Sequence, residues 1–162
     1  MTTPPVLGVV VAHGEIAASL VGAVERISGV RGALVPVSNV ACAPQELRRR
    51  VAEAVADGPA IIFVDMASGS CAFAGHQVGR ERDDVAVVTG ANLPMLLDFV
   101  FHREMSPAAL AERVAGKGRK GLSAHAPPRD DADAGDGTGE ETPASEPSAS
   151  EASGGSRDPE GP

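Results

Sequence analysis

The feature that most constrains the fold is a fourfold alternation of short apolar runs with helical patterns. The runs occupy residues 6–12, 33–37, 60–64 and 85–89 and are rich in valine, isoleucine and alanine. A continuous apolar run indicates a strand buried on both faces, as in a parallel sheet. We therefore predict an α/β fold, with an open, mainly parallel four-stranded sheet and helices on both faces.

Two local patterns refine this prediction. Pro36 lies within the second run and cannot donate a ladder hydrogen bond, which favours an edge position for that strand. The first helix is predicted from Ile16, Leu20, Val24 and Ile27, which recur at helical spacing. The last helix is expected to begin at Ser106 and to end near residue 115.

The composition divides the chain into two parts. Residues 123–162 contain no Val, Ile, Leu, Met or Phe, and their ten acidic and two basic residues account for the whole net charge of −8. A segment without large apolar side chains cannot offset the entropy lost on ordering. We predict a folded domain over residues 1–122 and a disordered acidic Ala/Gly/Ser/Pro-rich tail over residues 123–162.

Several functional classes are disfavoured by the composition. No apolar run approaches the roughly 20 residues that span a membrane, and the N-terminus has no basic signal-peptide region. Two cysteines do not make a disulfide framework. No dense basic patch indicates nucleic-acid binding, and the chain has four Phe and no Trp or Tyr for stacking. We expect a cytoplasmic protein that does not bind nucleic acid.

The polar residues that could carry chemistry follow the apolar runs. In parallel sheets, ligands bind at the carboxyl ends of the strands. His13 follows the first run and Asp65 the third, so the two side chains can meet. The carboxylate would then accept the proton on one ring nitrogen and leave the lone pair of the other nitrogen free, as in an activated nucleophile.

The neighbouring loops are suited to an anion. Gly14 lies before the first helix, and Gly69 and Ser70 lie at the start of the third, where small residues and free amides favour negative charge. The sequence contains no phosphate-binding lysine loop and no kinase metal set. A nucleophile and an anion cradle without nucleotide machinery favour a carrier that receives phosphate from another protein, with no cofactor and no metal.

Three motifs give the chain a family resemblance. VVVAHG at residues 9–14, with Ala17 and Leu20 behind it, resembles the histidine loop of mannose-type IIA domains of the sugar phosphotransferase system. IFVDMASGS at residues 62–70 resembles their aspartate and glycine-serine motif, and VTGANLPMLL at residues 88–97 resembles the third. The motifs occur in the family's order, and the resemblance covers roughly residues 5–122.

The resemblance implies a phosphohistidine carrier. His13 would accept phosphate on Nε2 from the carrier HPr and pass it to a IIB component, Asp65 would hold the imidazole, and Ser70 would contact the phosphoryl oxygens. The membrane would be involved only indirectly, through the IIC and IID permease. The resemblance also implies a homodimer with an exchanged antiparallel fifth strand, for which residues 118–123 are the candidate.

The chain departs from the family pattern in the second motif. The family usually reads Gly-Gly-Ser-Pro there, whereas this chain has Ser68 for a glycine and Cys71 for the proline. The altered loop, together with an acidic tail in the place of a IIB domain, leaves open a regulatory module of an incomplete phosphotransferase system that signals by its phosphorylation state. The related phosphocarrier subunit of dihydroxyacetone kinase is another alternative, although the Asn-Leu-Pro-Met run favours the sugar branch.

Simpler interpretations of the same residues also remain. His13 could be an ordinary loop histidine, Asp65 could cap the turn after its strand, and Ser70 could be a plain helix cap. Cys71 near a helix N-terminus could have a lowered pKa, or be buried and inert, which is the favoured interpretation. A receiver-type phosphoaspartate at Asp65 is rejected, because His13 replaces the acidic pair that would hold magnesium.

Overall fold

The structure is a computed structural model that describes residues 4–127. Strands and helices alternate along it until the last two elements, which are both helices. The elements are β1 Leu7–Ala12, α1 Ile16–Ser28, β2 Leu34–Ser38, α2 Pro44–Val55, β3 Ala60–Val64, α3 Ser70–Arg80, β4 Val85–Thr89, α4 Leu93–Val100 and α5 Pro107–Lys120. All of them belong to one compact unit that ends at His125.

The four strands form one parallel sheet in the order β2-β1-β3-β4. The predicted α/β class and parallel sheet are confirmed. β2 is an edge strand, as the position of Pro36 predicted. Pro36 pairs with Val10 of β1. The central strands β1 and β3 carry His13 and Asp65 at their carboxyl ends, so the strand order makes these two residues neighbours.

Helices cover both faces of the sheet, as predicted. On one face Val10 and Phe63 pack with α1, α4 and α5, and on the other Val9, Val11 and Ile62 pack with α2 and α3. Alternate side chains of each strand enter opposite cores, which is why the runs are apolar throughout. The first core contains an edge-to-face pair between Phe63 and Phe99, with ring centroids 5.1 Å apart.

The apolar residues that predicted α1 do not all lie on its buried face. Val24 is buried, but Ala17 and Val21 complete the buried stripe, whereas Ile16 is 46% and Ile27 62% exposed. Helical spacing locates an apolar side of the helix but does not say which edge of that side faces the sheet. The small Ala17 side chain allows the closer approach, and the two isoleucines lie in the first and last turns.

The candidate fifth strand at residues 118–123 is not a strand in the described chain. Gly118–Lys120 is the end of α5, which continues past the predicted end near residue 115. Gly118 is buried against α4, where an added Cβ would lie 2.7 Å from Met95 Cε. This close packing, with Asn92 Nδ2 near the Gly118 carbonyl oxygen at 3.5 Å, stabilises the last turn.

The predicted tail falls mostly outside the described residues. Residues 123–127 contain no helix or strand, and the rest of the segment 123–162 is not described. The tail's predicted disorder therefore stays a prediction. Among the described residues, no helix is both long enough and apolar enough to cross a membrane.

Candidate functional site

Backbone hydrogen bonds join the loops at the carboxyl edge of the sheet to neighbouring strands. The amide of Asn39 donates to the Ala12 carbonyl at 3.3 Å, and the amide of Asp65 donates to the Val11 carbonyl at 3.3 Å. The amide of Ala91 donates to the last residue of β3 at 2.9 Å. These bonds continue the sheet pattern beyond the strands, so the loops carrying polar residues have a fixed arrangement.

His13 and Asp65 are in direct contact at this edge. His13 directs two groups at the carboxylate of Asp65. Its ring Nδ1 lies 2.8 Å from Asp65 Oδ2, and its backbone amide lies 3.0 Å from the same oxygen. The side chain of His13 is 40% exposed and that of Asp65 is 12% exposed. The carboxylate therefore holds the Nδ1 edge of the His13 ring, and the side chain is still partly exposed to solvent.

The charge of Asp65 determines the state of the ring. Burial alone would raise the pKa of Asp65, but hydrogen bonds from the amide and ring of His13 outweigh it and hold the pKa below its usual value. An ionised carboxylate can only accept, so Nδ1 carries the proton and donates it. The lone pair of His13 Nε2 is then available as a nucleophile.

A second pair of residues holds the His13 loop from β2. Ser38 Oγ donates to the Gly14 carbonyl at 2.7 Å, and the Gly14 amide donates to Asn39 Oδ1 at 3.2 Å. Gly14 has a φ of 56°, a conformation that L side chains rarely adopt. Sequence reasoning did not identify Ser38 and Asn39, although they also follow a strand and the rule that selected His13 applies to them.

The N-terminus of α3 lies beside the imidazole ring. Gly69 precedes the helix with a φ of 92°, and a Cβ built there would lie 3.9 Å from both Cε1 and Nε2 of His13. No side chain caps this helix, so its first amides are free to donate to an anion. Ser70 is exposed and is the first residue of α3. The predicted residues Gly69 and Ser70 therefore lie on the nucleophile's side of the loop.

Cys71 follows Ser70 and is fully buried. Burial, together with the negative charge of Asp65, raises the pKa of the Cys71 thiol, so the idea of a helix-activated thiol is wrong. One ligand atom each from His13, Asp65 and Cys71 lies within 4.8 Å of the other two. The thiol is thus a third member of the cluster.

Large apolar side chains are exposed next to the site. Ile16 and Phe73 lie in the first turns of α1 and α3, and Val40 and Met66 follow β2 and β3; their exposed fractions range from 46% to 61%. Each belongs to a segment that begins or ends at the carboxyl edge of the sheet. We refer to Ile16, Val40, Met66 and Phe73 as the apolar rim. Exposed apolar side chains of this kind are typical of a surface that receives another protein.

The third motif, at residues 88–97, has mainly a structural role. Asn92 caps α4 by accepting a hydrogen bond from the Met95 amide at 3.1 Å, and its side-chain nitrogen lies 3.3 Å from the Gly90 carbonyl oxygen. Its side chain is thus engaged in the α4–α5 contact. The sequence motif around Asn92 therefore reflects the packing of two helices as well as any chemistry.

Comparisons with solved structures agree on the fold. The phosphotransferase component EIIA from Streptococcus agalactiae superposes with a TM-score of 0.69 at 22% identity, covering 74% of this chain and 96% of that one. The mannose/sorbose-specific IIA subunit from Enterococcus faecalis gives 0.67 at 16%, covering 78% and 98%. The IIA protein associated with the fucose utilization operon of Streptococcus pneumoniae gives 0.64 at 17%, covering 76% and 96%.

The family comparison is made on sequence. A comparison with curated proteins finds no match. The family model EIIA-man, described as PTS system fructose IIA component, matches residues 8–115, which is well over half of the chain and includes His13, Asp65 and all of the four strands except Leu7. The chain therefore belongs to the EIIA-man family, the mannose-type IIA components of the sugar phosphotransferase system.

Proposed function

We propose that the protein is a cytoplasmic phosphohistidine carrier that accepts a phosphoryl group on His13 Nε2 from phospho-HPr and passes it to a IIB component. The observation that carries this proposal is the 2.8 Å contact between His13 Nδ1 and Asp65 on a ring that is 40% exposed. With Nδ1 donating to the carboxylate, Nε2 is the basic nitrogen of this partly exposed ring. A phosphorylated partner can reach such a nitrogen without any change in the fold.

The transfer needs no cofactor in this scheme. The bond between phosphorus and the donor histidine of HPr breaks as a bond forms to His13 Nε2, with the two nitrogens in line. His13 becomes positively charged as it attacks, and the carboxylate of Asp65 on Nδ1 stabilises that charge. Asp65 is therefore proposed as the catalytic partner of His13.

The phosphoryl oxygens would be held by main-chain and hydroxyl donors. The free amides at the start of α3 and the hydroxyl of Ser70 lie next to Gly69, which approaches the ring closely. The positive φ of Gly14 turns the first loop towards α1, a second helix without a side-chain cap. Ser70 and Gly69 are thus proposed to bind the phosphoryl group directly. Gly14, whose own amide donates to Asn39, is proposed to contribute by directing the first loop.

The apolar rim supports docking of protein partners. Its side chains are exposed next to the nucleophile, and their burial would contribute to association with a donor and then with an acceptor.

Contact with the membrane would be indirect, through the permease that the IIB component serves. We also propose a homodimer, in which Leu122, 76% exposed directly after α5, would be covered. The mass of the protein in solution tests the proposed homodimer.

Phosphoryl transfer from a reconstituted donor tests the proposal. The chain is incubated with HPr, its kinase and phosphoenolpyruvate, and the modified residue is mapped. We expect one phosphoryl group, labile in acid, that is absent in His13→Ala. His76→Ala is the matched control, because His76 is exposed on α3, and it should be modified normally. Modification that persists in His13→Ala, or none in the native chain, would overturn the proposal.

The second candidate is a regulatory module that uses the same phosphorylation without sugar transport. The Ser68 and Cys71 substitutions favour it, because they change the loop beside the nucleophile. The two candidates differ in what the phosphorylated chain does next. Loss of the label to purified IIB components supports the carrier. A partner that is retained by only one phosphorylation state, with no transfer to IIB, supports the regulatory module.

A further inference from the structure

Three different metal-ligating side chains, those of His13, Asp65 and Cys71, lie together at the carboxyl edge of the sheet. A ligand atom from each of His13, Asp65 and Cys71 lies within 4.8 Å of the other two. Imidazole nitrogen, carboxylate oxygen and thiolate sulfur are the protein ligands that zinc accepts, usually in tetrahedral geometry. Three protein ligands and one open position are typical of a zinc site that exchanges its fourth ligand.

The carboxylate also has a free coordinating atom. Asp65 Oδ2 accepts both hydrogen bonds from His13, whereas Oδ1 is buried and has no hydrogen-bond partner among the described residues. The Met66 amide helps to lower the pKa of Asp65. It does not, however, form a hydrogen bond with Oδ1. A buried, unpaired carboxylate oxygen normally requires a compensating group, and a cation among these ligands would supply it.

We propose that His13, Asp65 and Cys71 bind a divalent ion of the zinc class, with water in the fourth position, and that the occupied site cannot accept a phosphoryl group. Binding releases the thiol proton of Cys71 and forms a bond between sulfur and the metal. Metal binding itself does not depend on the carrier function. Only its inhibitory consequence rests on the function proposed above.

The required movement is small. Zinc bonds of about 2.0–2.3 Å imply separations of about 3.3–3.6 Å between tetrahedral ligands, compared with at most 4.8 Å here. The widest of these separations must therefore close by about 1 Å, which the 40% exposed His13 ring can accommodate. The 2.8 Å contact between His13 Nδ1 and Asp65 Oδ2 must open slightly if both atoms bind the ion. The exposed side of the same ring provides an entry path.

Occupancy would block either ring nitrogen as a phosphate acceptor. If the metal binds Nε2, the nucleophilic lone pair is used directly. If it binds Nδ1, the single proton of the neutral ring moves from Nδ1 to Nε2, which then has no free lone pair. In both cases a metal-loaded carrier cannot be phosphorylated, and a phosphorylated carrier binds the metal less tightly.

Metal binding can be measured without phosphorylation. The tag-free full chain is titrated with Co²⁺ and, in competition with a chromophoric chelator, with Zn²⁺. We expect one ion per chain and a thiolate-to-cobalt charge-transfer band in the near ultraviolet. Cys71→Ser and Cys71→Ala should lose this band and weaken zinc binding by more than about 100-fold. Loss of a group that only hydrogen-bonds to a metal ligand would weaken binding less, by about 10–100-fold. Circular dichroism establishes that both variants fold.

Cys42→Ser is the matched control. Cys42 is half-buried, donates its thiol proton to the Asn39 carbonyl at 3.3 Å, and is not part of the cluster; serine can make the same hydrogen bond. This variant should bind cobalt with the native spectrum. A native chain without the sulfur band, or equal zinc affinities in the Cys71 and Cys42 variants, would overturn the proposed site.

The inhibitory consequence has its own readout. In the presence of zinc at a concentration that saturates the native site, phosphorylation from phospho-HPr should stop in the native chain and continue in Cys71→Ala. HPr and its kinase are first shown to retain activity at that zinc concentration. Equal inhibition of both chains would overturn the consequence. A sulfur–cobalt band in a chain that is never phosphorylated would instead retain the site and reject the carrier function.

Discussion

Replacement of Asp65 by asparagine removes one negative charge and keeps the size of the side chain. In the native chain Asp65 Oδ2 accepts from the ring and the amide of His13 at 2.8 Å and 3.0 Å. An asparagine has one oxygen and one NH₂ group. It must place one of them against His13 and the other where Oδ1 is buried without a partner.

Both placements are unfavourable. With the oxygen against His13, two charge-assisted hydrogen bonds become neutral, a loss of about 1–3 kcal/mol, and an amide NH₂ is buried unpaired. With the NH₂ group against His13, the ring Nδ1 must accept, and the proton moves to Nε2. The first arrangement weakens the stabilisation of the charged ring, and the second removes the nucleophilic lone pair.

The expected result is slower phosphorylation. We predict that Asp65→Asn accepts phosphate from phospho-HPr about 10²–10³-fold more slowly, the range for loss of one group that stabilises charge developing in the transition state. Rapid quenching with labelled phosphoenolpyruvate and saturating HPr gives the rate. Asp57→Asn, in the exposed turn before β3, is the control and should be unaffected. A folded Asp65→Asn protein that reacts within about tenfold of the native rate would refute the assigned role.

Three further predictions concern stability and the loop geometry. Gly69→Ala should lose about 1–3 kcal/mol of unfolding free energy in urea because of its positive φ and should also be phosphorylated more slowly, since the methyl group would lie 3.9 Å from His13 Nε2; Gly90→Ala, strained but in open space, should lose stability only. Gly8→Ala should be destabilised by about 1–3 kcal/mol, because its Cβ would lie 2.4 Å and 2.8 Å from side chains of β2 and α4, and a native thermal midpoint would contradict this. The lowered pKa of Asp65 contributes stability that is complete above the unfolded pKa and is lost as pH falls through the folded value; urea unfolding between pH 7 and pH 3 should therefore show Asp65→Asn approaching the native chain, and a constant difference would be inconsistent with it.

The sequence was most informative where side chains are buried on both faces. β1, β3 and β4 were predicted from continuous apolar runs because only a covered parallel sheet tolerates them. The neighbouring positions of His13 and Asp65 followed from the rule that parallel strands share one carboxyl edge. The contact itself also depends on the strand order, which makes β1 and β3 adjacent and which the sequence did not predict.

Other features depend on tertiary packing that the sequence pattern does not show. Gly116 and Gly118 indicated the end of a helix, but contact of Gly118 with α4 lets α5 continue to Lys120. Cys71 was interpreted from its helix position alone. Its place beneath His13 depends on the strand order and the turn at Gly69 together, so the expectation of no metal site did not take this cluster into account.

The central claim is that Asp65 holds the proton on His13 Nδ1 and leaves Nε2 as the acceptor. ¹⁵N NMR of the two ring nitrogens, recorded before and after phosphorylation by phospho-HPr, tests it most directly. We expect a protonated Nδ1 in the free protein and phosphorus attached to Nε2 afterwards. A proton on Nε2 in the free protein, or phosphate on Nδ1, would contradict it.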